Sequence, residues 1–200
     1  MAGWKYYNKG RLKFANVASK FKIPVYGCFF VFYHFIQNPM IHWKKKFFST
    51  CTNIYSGERI IGKLSENSWK QTADGECYNK RYRFKTSGIF KQKTTVYELN
   101  GNREIGKITY NSMMSKAEIH YPDQIYHWKY DNLWQTRWSL TDESGNKMEF
   151  HGRTHTGFIR LENEDALLIL TGLFITNYYQ QMLVVIMAAI FIPILASTTS

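Results

Sequence analysis

From Cys51 to Leu161 the apolar positions recur at every second residue, the mark of strands with one face buried. Ala117, Ile119 and Tyr121 alternate with polar residues, as do Trp134, Thr136, Trp138 and Leu140, and Tyr82 and Phe84 after Tyr78. Between these runs stand residues that favour left-handed or proline-set turns: Ser56-Gly57, Asn100-Gly101, Pro122-Asp123, Asp131-Asn132 and Ser144-Gly145-Asn146. The pattern predicts about ten short antiparallel strands in this stretch.

The strands come in a repeat. Gly57-Glu-Arg-Ile-Ile-Gly-Lys-Leu-Ser-Glu-Asn-Ser-Trp69 returns at an offset of 44 residues as Gly101-Asn-Arg-Glu-Ile-Gly-Lys-Ile-Thr-Tyr-Asn-Ser-Met113. The register continues through Tyr82 with Tyr126 and Phe84 with Trp128, and Gly145-Asn146-Lys147 opens a third, partial unit. Four strands per unit is the size of a propeller blade, but propellers need at least four blades. With little more than two units, the sheet must close on itself or wrap something apolar. The tail from Ala166 to Tyr179 is apolar on every side, as expected of a helix surrounded by protein or lipid. The predicted fold is therefore a closed antiparallel β-barrel of about 10–12 strands around a buried C-terminal helix.

These features resemble the tubby C-terminal-like superfamily, which includes the phospholipid scramblases and the LURP-one-related proteins. The resemblance rests on the repeated Gly-x-Arg-x-Ile-Gly-Lys unit, the aromatic meander, and an uncharged helix following Glu162, Glu164 and Asp165. It covers residues 51 to about 180 and implies a barrel of about a dozen strands around a buried helix, associated with membranes or phosphoinositides, without catalytic residues. No stretch matches the lysine-and-arginine lipid pocket of tubby, so that pocket is not transferred.

Charge divides the 200-residue chain into three materials. Residues 1–57 hold nine of the 26 Lys and Arg and no acidic residue; residues 58–165 hold the other 17 with all 15 acidic residues; residues 166–200 hold neither. Residues 1–50 read as a basic aromatic extension, with a basic stretch before the apolar run Val25–Ile36 that imitates a secretory signal without a small-x-small cleavage site. Met40 is an alternative start, which lowers the net charge from +11 to +5. Residues 51–181 form the expected barrel, with its core helix at 166–180, and 182–200 a further apolar segment. The tail allows two readings. Either its first half plugs the barrel and its second half packs or dips into a membrane, or one helix over 173–194 spans a bilayer as an integral anchor. The first keeps the barrel's core and is preferred.

Candidate chemistry is sparse. Gly57–Lys63 and Gly101–Lys107 fit Gly-x4-Gly-Lys, yet Leu64 and Ile108 stand where a phosphate loop needs Ser or Thr, so both read as glycine turns leading into strands. His151 and His155, and His120 and His127, lack a Cys or acidic partner at ligand spacing. Cys28, Cys51 and Cys77 form neither a disulfide framework nor a metal knuckle and suit a reducing compartment. No nucleophile elbow occurs, so the expectation is a non-enzyme without cofactor or metal. The suggestive stretch is Trp43, Lys44, Lys45, Lys46, Phe47 and Phe48: lysines attract anionic headgroups, and aromatic rings insert beside them. Anionic phospholipid is the expected partner, with a cytoplasmic location peripheral to a membrane. Stacking of single-stranded nucleic acid on Tyr78–Phe84 is the rival reading, and the small net charge of the middle disfavours it.

Overall fold

The computed structural model describes residues 40–198 apart from 48, 68–69, 89–91 and 162–163, so the basic head and its apolar run lie outside the described residues. Twelve strands close into one antiparallel barrel: β1 (Ile41–Lys45), β2 (Cys51–Ser56), β3 (Arg59–Asn67), β4 (Thr72–Cys77), β5 (Lys80–Ser87), β6 (Lys93–Glu98), β7 (Arg103–Tyr110), β8 (Lys116–His120), β9 (Ile125–Tyr130), β10 (Arg137–Asp142), β11 (Lys147–Arg153) and β12 (Thr156–Arg160). Each strand pairs with its neighbours in sequence, and β1 pairs with both β2 and β12, which removes every free edge. A single helix, α1 (Ala166–Thr198), follows.

The 44-residue period is visible in the ladder. Gly57 turns β2 into β3 at φ 60°, a conformation that carries a steric cost for residues with a Cβ, whereas in the turn between β6 and β7 the left-handed position falls on Asn102 at φ 46°, next to Gly101. A bulge recurs at the same interval. Ile54 faces Gly62 and Tyr55 faces Ile60, leaving Ile61 extra; Val96 faces Gly106 and Tyr97 faces Glu104, leaving Ile105 extra. In the third unit Phe150 stands where the bulge glycine would be, and β10 and β11 pair in unbroken register.

The inward row of each strand meets the first half of α1. Ile54, Leu64, Phe84, Val96, Ile108, Ile119, Trp128, Leu140 and Phe150 are buried around Ile169, Leu170, Leu173, Phe174 and Ile175. Asp165 caps the helix, its Oδ1 accepting from the backbone N–H groups of Leu167 (2.7 Å) and Leu168 (3.1 Å). Gly172 is required by space: a Cβ there would lie 2.2 Å from Cζ of Phe150. Two threonines of the helix are satisfied locally. Thr171 donates to the Leu167 carbonyl (2.7 Å) and so accepts from the Tyr121 hydroxyl (2.6 Å), while Thr176 donates to the Gly172 carbonyl (2.9 Å).

Two expectations change. The barrel begins at Ile41, ten residues before the predicted boundary, because β1 supplies the strand that joins β2 to β12. Trp134 belongs to no strand: it lies at the tip of the β9–β10 loop, where Gln135 takes φ 53° and breaks the alternation.

Candidate membrane-facing end of the barrel

The direction of α1 makes the two barrel ends unlike. The helix starts beside the β12 end at Asp165 and leaves through the other, where the Tyr179 hydroxyl donates to the Lys116 carbonyl and Tyr178 stacks on Tyr110 at 4.3 Å. Phe174 stacks on Phe84 at 4.5 Å one turn earlier. From Leu183 to Ile194 every residue is exposed, and among them Leu183, Val184, Val185, Ile186, Met187, Ile190, Phe191, Ile192 and Ile194 are large and apolar. The sixteen helical residues from Leu183 to Thr198 rise about 24 Å at 1.5 Å each. No Asp, Glu, Lys, Arg or His interrupts them.

The loops around this exit add apolar tips. Phe47 is 73% exposed, Met113 83%, Leu133 99% and Trp134 86%, and they lie on the β1–β2, β7–β8 and β9–β10 connections, all at the helix-exit end. They are four of the six large apolar residues exposed outside α1 among the described residues, Met40 and Ile60 standing at the opposite end, and an excess of exposed apolar residues at one end marks an interaction surface.

Charge follows the same division. Taking six connections per end with one strand residue on either side, the exit end carries, among the described residues, Lys45, Lys46, Lys70, Lys93, Lys116, Arg137 and Arg153 against Asp131. The opposite end carries Arg59, Lys80, Arg103, Lys147 and Arg160 against Glu58, Glu98, Asp123, Asp142, Glu143, Glu164 and Asp165. The barrel is thus positive where the helix leaves and slightly negative where it starts.

The predicted lipid-contacting stretch is only partly at this surface. Trp43 is 2% exposed and points into the barrel, its ring 5.5 Å from that of Trp138 and pressed against Gly152 and Gly157, where an added Cβ on Gly157 would come within 2.2 Å of the indole. It is a core residue, because alternation along β1 sends Ile41 and Trp43 inward together. Lys44 points outward over the Tyr55 ring at 5.7 Å. Lys45 bonds Glu66 at 3.0 Å, with 13% and 7% of the two side chains exposed. Lys46 is exposed in the β1–β2 loop, and Phe47 stacks on His155 at 4.7 Å. Phe48 lies outside the described residues. Lys46 and Phe47 therefore reach the exit surface, whereas Lys45 closes the barrel mouth. Leaving one charge of such a pair buried and unpaired is costly. Glu66→Gln is expected to destabilise the barrel by about 3 kcal/mol, read as a lowered midpoint in urea with unchanged slope.

The other sequence candidates are dispersed. His120 faces Ile125 across the β8–β9 ladder rather than His127, and bonds Glu118 at 2.5 Å. His151 stacks on Phe158 at 4.8 Å, and His155 lies under Phe47. Among the described residues no group of His, Cys, Asp and Glu could hold a metal ion. Burial, with Glu164 and Asp165 nearby, pushes the Cys77 thiol up to about 12, which keeps it protonated and a poor nucleophile. Leu64 and Ile108, after the Gly-Lys pairs, are core residues of β3 and β7. The tips Met113, Leu133 and Trp134 and the polarity of the ends were not singled out by sequence reasoning, although the alternation of basic and acidic turns along the repeat carried the signal. No protein-family model, curated protein or solved structure matches this chain.

Proposed function

We propose that this protein is a non-enzymatic, membrane-associated barrel that docks through its helix-exit end, with the uncharged half of α1 entering the hydrocarbon and the basic rim lying against anionic headgroups. The observation that carries this reading is the coincidence at one end of the exposed apolar residues Leu183–Ile194, the tips Phe47, Met113, Leu133 and Trp134, and the excess of basic residues. Water is a poor solvent for the first two, and each basic residue near an anionic surface contributes about 1 kcal/mol of attraction. A rise of about 24 Å carries the helix past the headgroups into the acyl chains.

The twelve-strand barrel threaded by its own C-terminal helix has the architecture that the tubby and scramblase resemblance implies, and this supports placing the chain in that superfamily. The integral reading, with a span over 173–194, meets an obstacle in the closed barrel. Leu173–Tyr179 are buried against strands there, so the part of α1 open to lipid begins only after Met182. Cytoplasmic, peripheral attachment is the corresponding location.

Sedimentation with vesicles is the test. The full chain is expected to pellet with phosphatidylcholine vesicles containing phosphatidylserine, to pellet less with phosphatidylcholine alone, and to lose the difference at high salt. Equal recovery in the supernatant with both would remove the reading. A nucleic-acid role would instead appear as retention on a polyanion that falls steeply with salt.

A further inference from the structure

Two neighbouring loops of the helix-exit end are built alike. Asn111 opens the connection from β7 to β8, and Asn132 opens the connection from β9 to β10. Oδ1 of Asn111 accepts from the backbone N–H groups of Ser115 and Lys116, both at 2.9 Å, and its Nδ2 donates to the Ser115 hydroxyl at 3.0 Å. Oδ1 of Asn132 accepts from the backbone N–H groups of Thr136 and Arg137, both at 3.0 Å, and its Nδ2 donates to the Thr136 hydroxyl at 2.7 Å. In each loop a further N–H, of Met114 or Gln135, donates to the backbone carbonyl of the asparagine at 3.2 Å, and that donor residue is left-handed, at φ 51° or 53°. What these clamps hold out is apolar: Met113 is 83% exposed, Leu133 99% and Trp134 86%. A left-handed backbone is unfavourable for a residue with a Cβ, and water is a poor solvent for the tips, so the barrel itself gains nothing from presenting them.

The clamps are fastened to each other and to α1. The backbone N–H of Tyr130 donates to the Ser115 carbonyl at 3.2 Å, which ties the second loop to the first. The Tyr179 hydroxyl donates to the Lys116 carbonyl and lies 3.4 Å from Oδ1 of Asn111, which ties the first loop to the helix. Asn111, Ser112 and Met114 also share a cleft with Met182 and Ile186, where the exposed half of α1 begins. Tips and helix thus keep a fixed relation. The charge beside them is basic: Lys116 and Arg137 close the two loops, and the carboxylate of Asp131 is engaged by the Ser139 hydroxyl at 3.0 Å and by Lys147 at 3.5 Å.

We propose that these two loops form a rigid wedge that enters the interfacial layer of the bilayer beside α1. Leu133 and Trp134, with Met113 next to them, lie at the boundary between headgroups and acyl chains, the depth that an indole prefers, and Lys116 and Arg137 lie against lipid phosphates. Asn111 and Asn132 act as positioning residues: a tip held rigid before docking gives up little conformational freedom on entering. The inference rests on the docking reading above and adds a second point of insertion to the helix. A second copy of the chain is a poorer occupant, because two basic rims would then face each other.

The test is a nitroxide at Leu133→Cys in the full chain with its native cysteines replaced, compared with a label at Ile190→Cys, with and without vesicles of phosphatidylcholine and phosphatidylserine. The label at residue 133 is expected to be exposed to a water-soluble nickel complex in solution and to lose that exposure with vesicles, at a shallower depth than the label at residue 190. Leu133→Ser combined with Trp134→Ser is expected to lower vesicle partition roughly thirtyfold, the loss of two half-buried apolar side chains, at an unchanged melting temperature. Asn132→Ala keeps both tip side chains and is expected to sharpen the spectrum of the label at residue 133 in solution and to lower partition about threefold. Unchanged partition in the double serine variant, or a label at residue 133 as open to nickel with vesicles as without them, would overturn the wedge; if the label at residue 190 is protected in the same samples, the docking reading stands. Protection at residue 133 alone keeps the wedge and removes the insertion of α1. A label at residue 133 already closed to nickel without vesicles, in a chain that sediments as a dimer, would assign the tips to a second copy and overturn the wedge.

Discussion

Trp43→Ala lowers the stability of the barrel by about 3–5 kcal/mol, the cost of emptying a fully buried indole site. The ring is 2% exposed and lies against Trp138, Phe150, Gly152 and Gly157. Because Gly152 and Gly157 have no side chains to move into the void, the cavity stays open and the effect falls at the upper end of that range. For a chain of this size the melting temperature drops by roughly 10 °C or more. Vesicle affinity measured below the new melting temperature is unchanged. Had Trp43 been an interfacial anchor, the same substitution would weaken vesicle binding and leave the melting temperature alone. Differential scanning calorimetry and sedimentation on one preparation separate the two outcomes.

Val184→Lys combined with Ile192→Lys abolishes vesicle binding without touching the fold. Val184 and Ile192 are 68% and 65% exposed, so in water neither change removes a packed side chain. At bilayer depth each lysine costs about 2.5–3.5 kcal/mol, or roughly a hundredfold in partition per site. Snorkelling reduces the cost for whichever lysine lies nearer the headgroups. The double variant should therefore remain in the supernatant under conditions where the wild type pellets, with the same circular dichroism and melting temperature. Loss of the folded signal would mean instead that residues 183–194 pack against protein.

Most of the fold was legible because its unit is local. Four strands with a turn and a bulge occupy 44 residues, and the bulge returns at Ile61 and Ile105 beside Gly62 and Gly106. The core helix was legible because Ala166–Tyr179 is apolar on all sides, which a surface helix never needs to be. β1 was not, for two physical reasons. It is five residues long, and the run Lys44-Lys45-Lys46 hides its alternation, since the pleat carries Lys45 to the side of Ile41 and Trp43, where Glu66, 21 residues away, pairs its charge. Sequence spacing does not reveal that pairing.

The surface proposed for docking was hidden by averaging. Residues 58–165 carry 17 basic and 15 acidic residues, a sum that suggests little attraction for any anion. In an up-and-down barrel alternate turns lie at opposite ends, so basic turns and acidic turns that cancel along the chain separate in space. Lys70, Lys93 and Lys116 thereby come to one rim, while Glu58, Asp123 and Glu143 lie at the other. Trp134 was misread for a related reason: its alternation with Thr136 and Trp138 is real in sequence, but the strand starts only at Arg137.

The depth of the helix in lipid bears most directly on docking. A nitroxide is attached at Ile190→Cys or at Glu58→Cys in a chain whose native cysteines are replaced, and its access to oxygen and to a water-soluble nickel complex is measured with vesicles containing phosphatidylserine. Docking through the helix-exit end predicts a label at residue 190 that is open to oxygen and closed to nickel, at hydrocarbon depth, and a label at residue 58 that remains aqueous. A residue 190 label as open to nickel with vesicles as without them would contradict it.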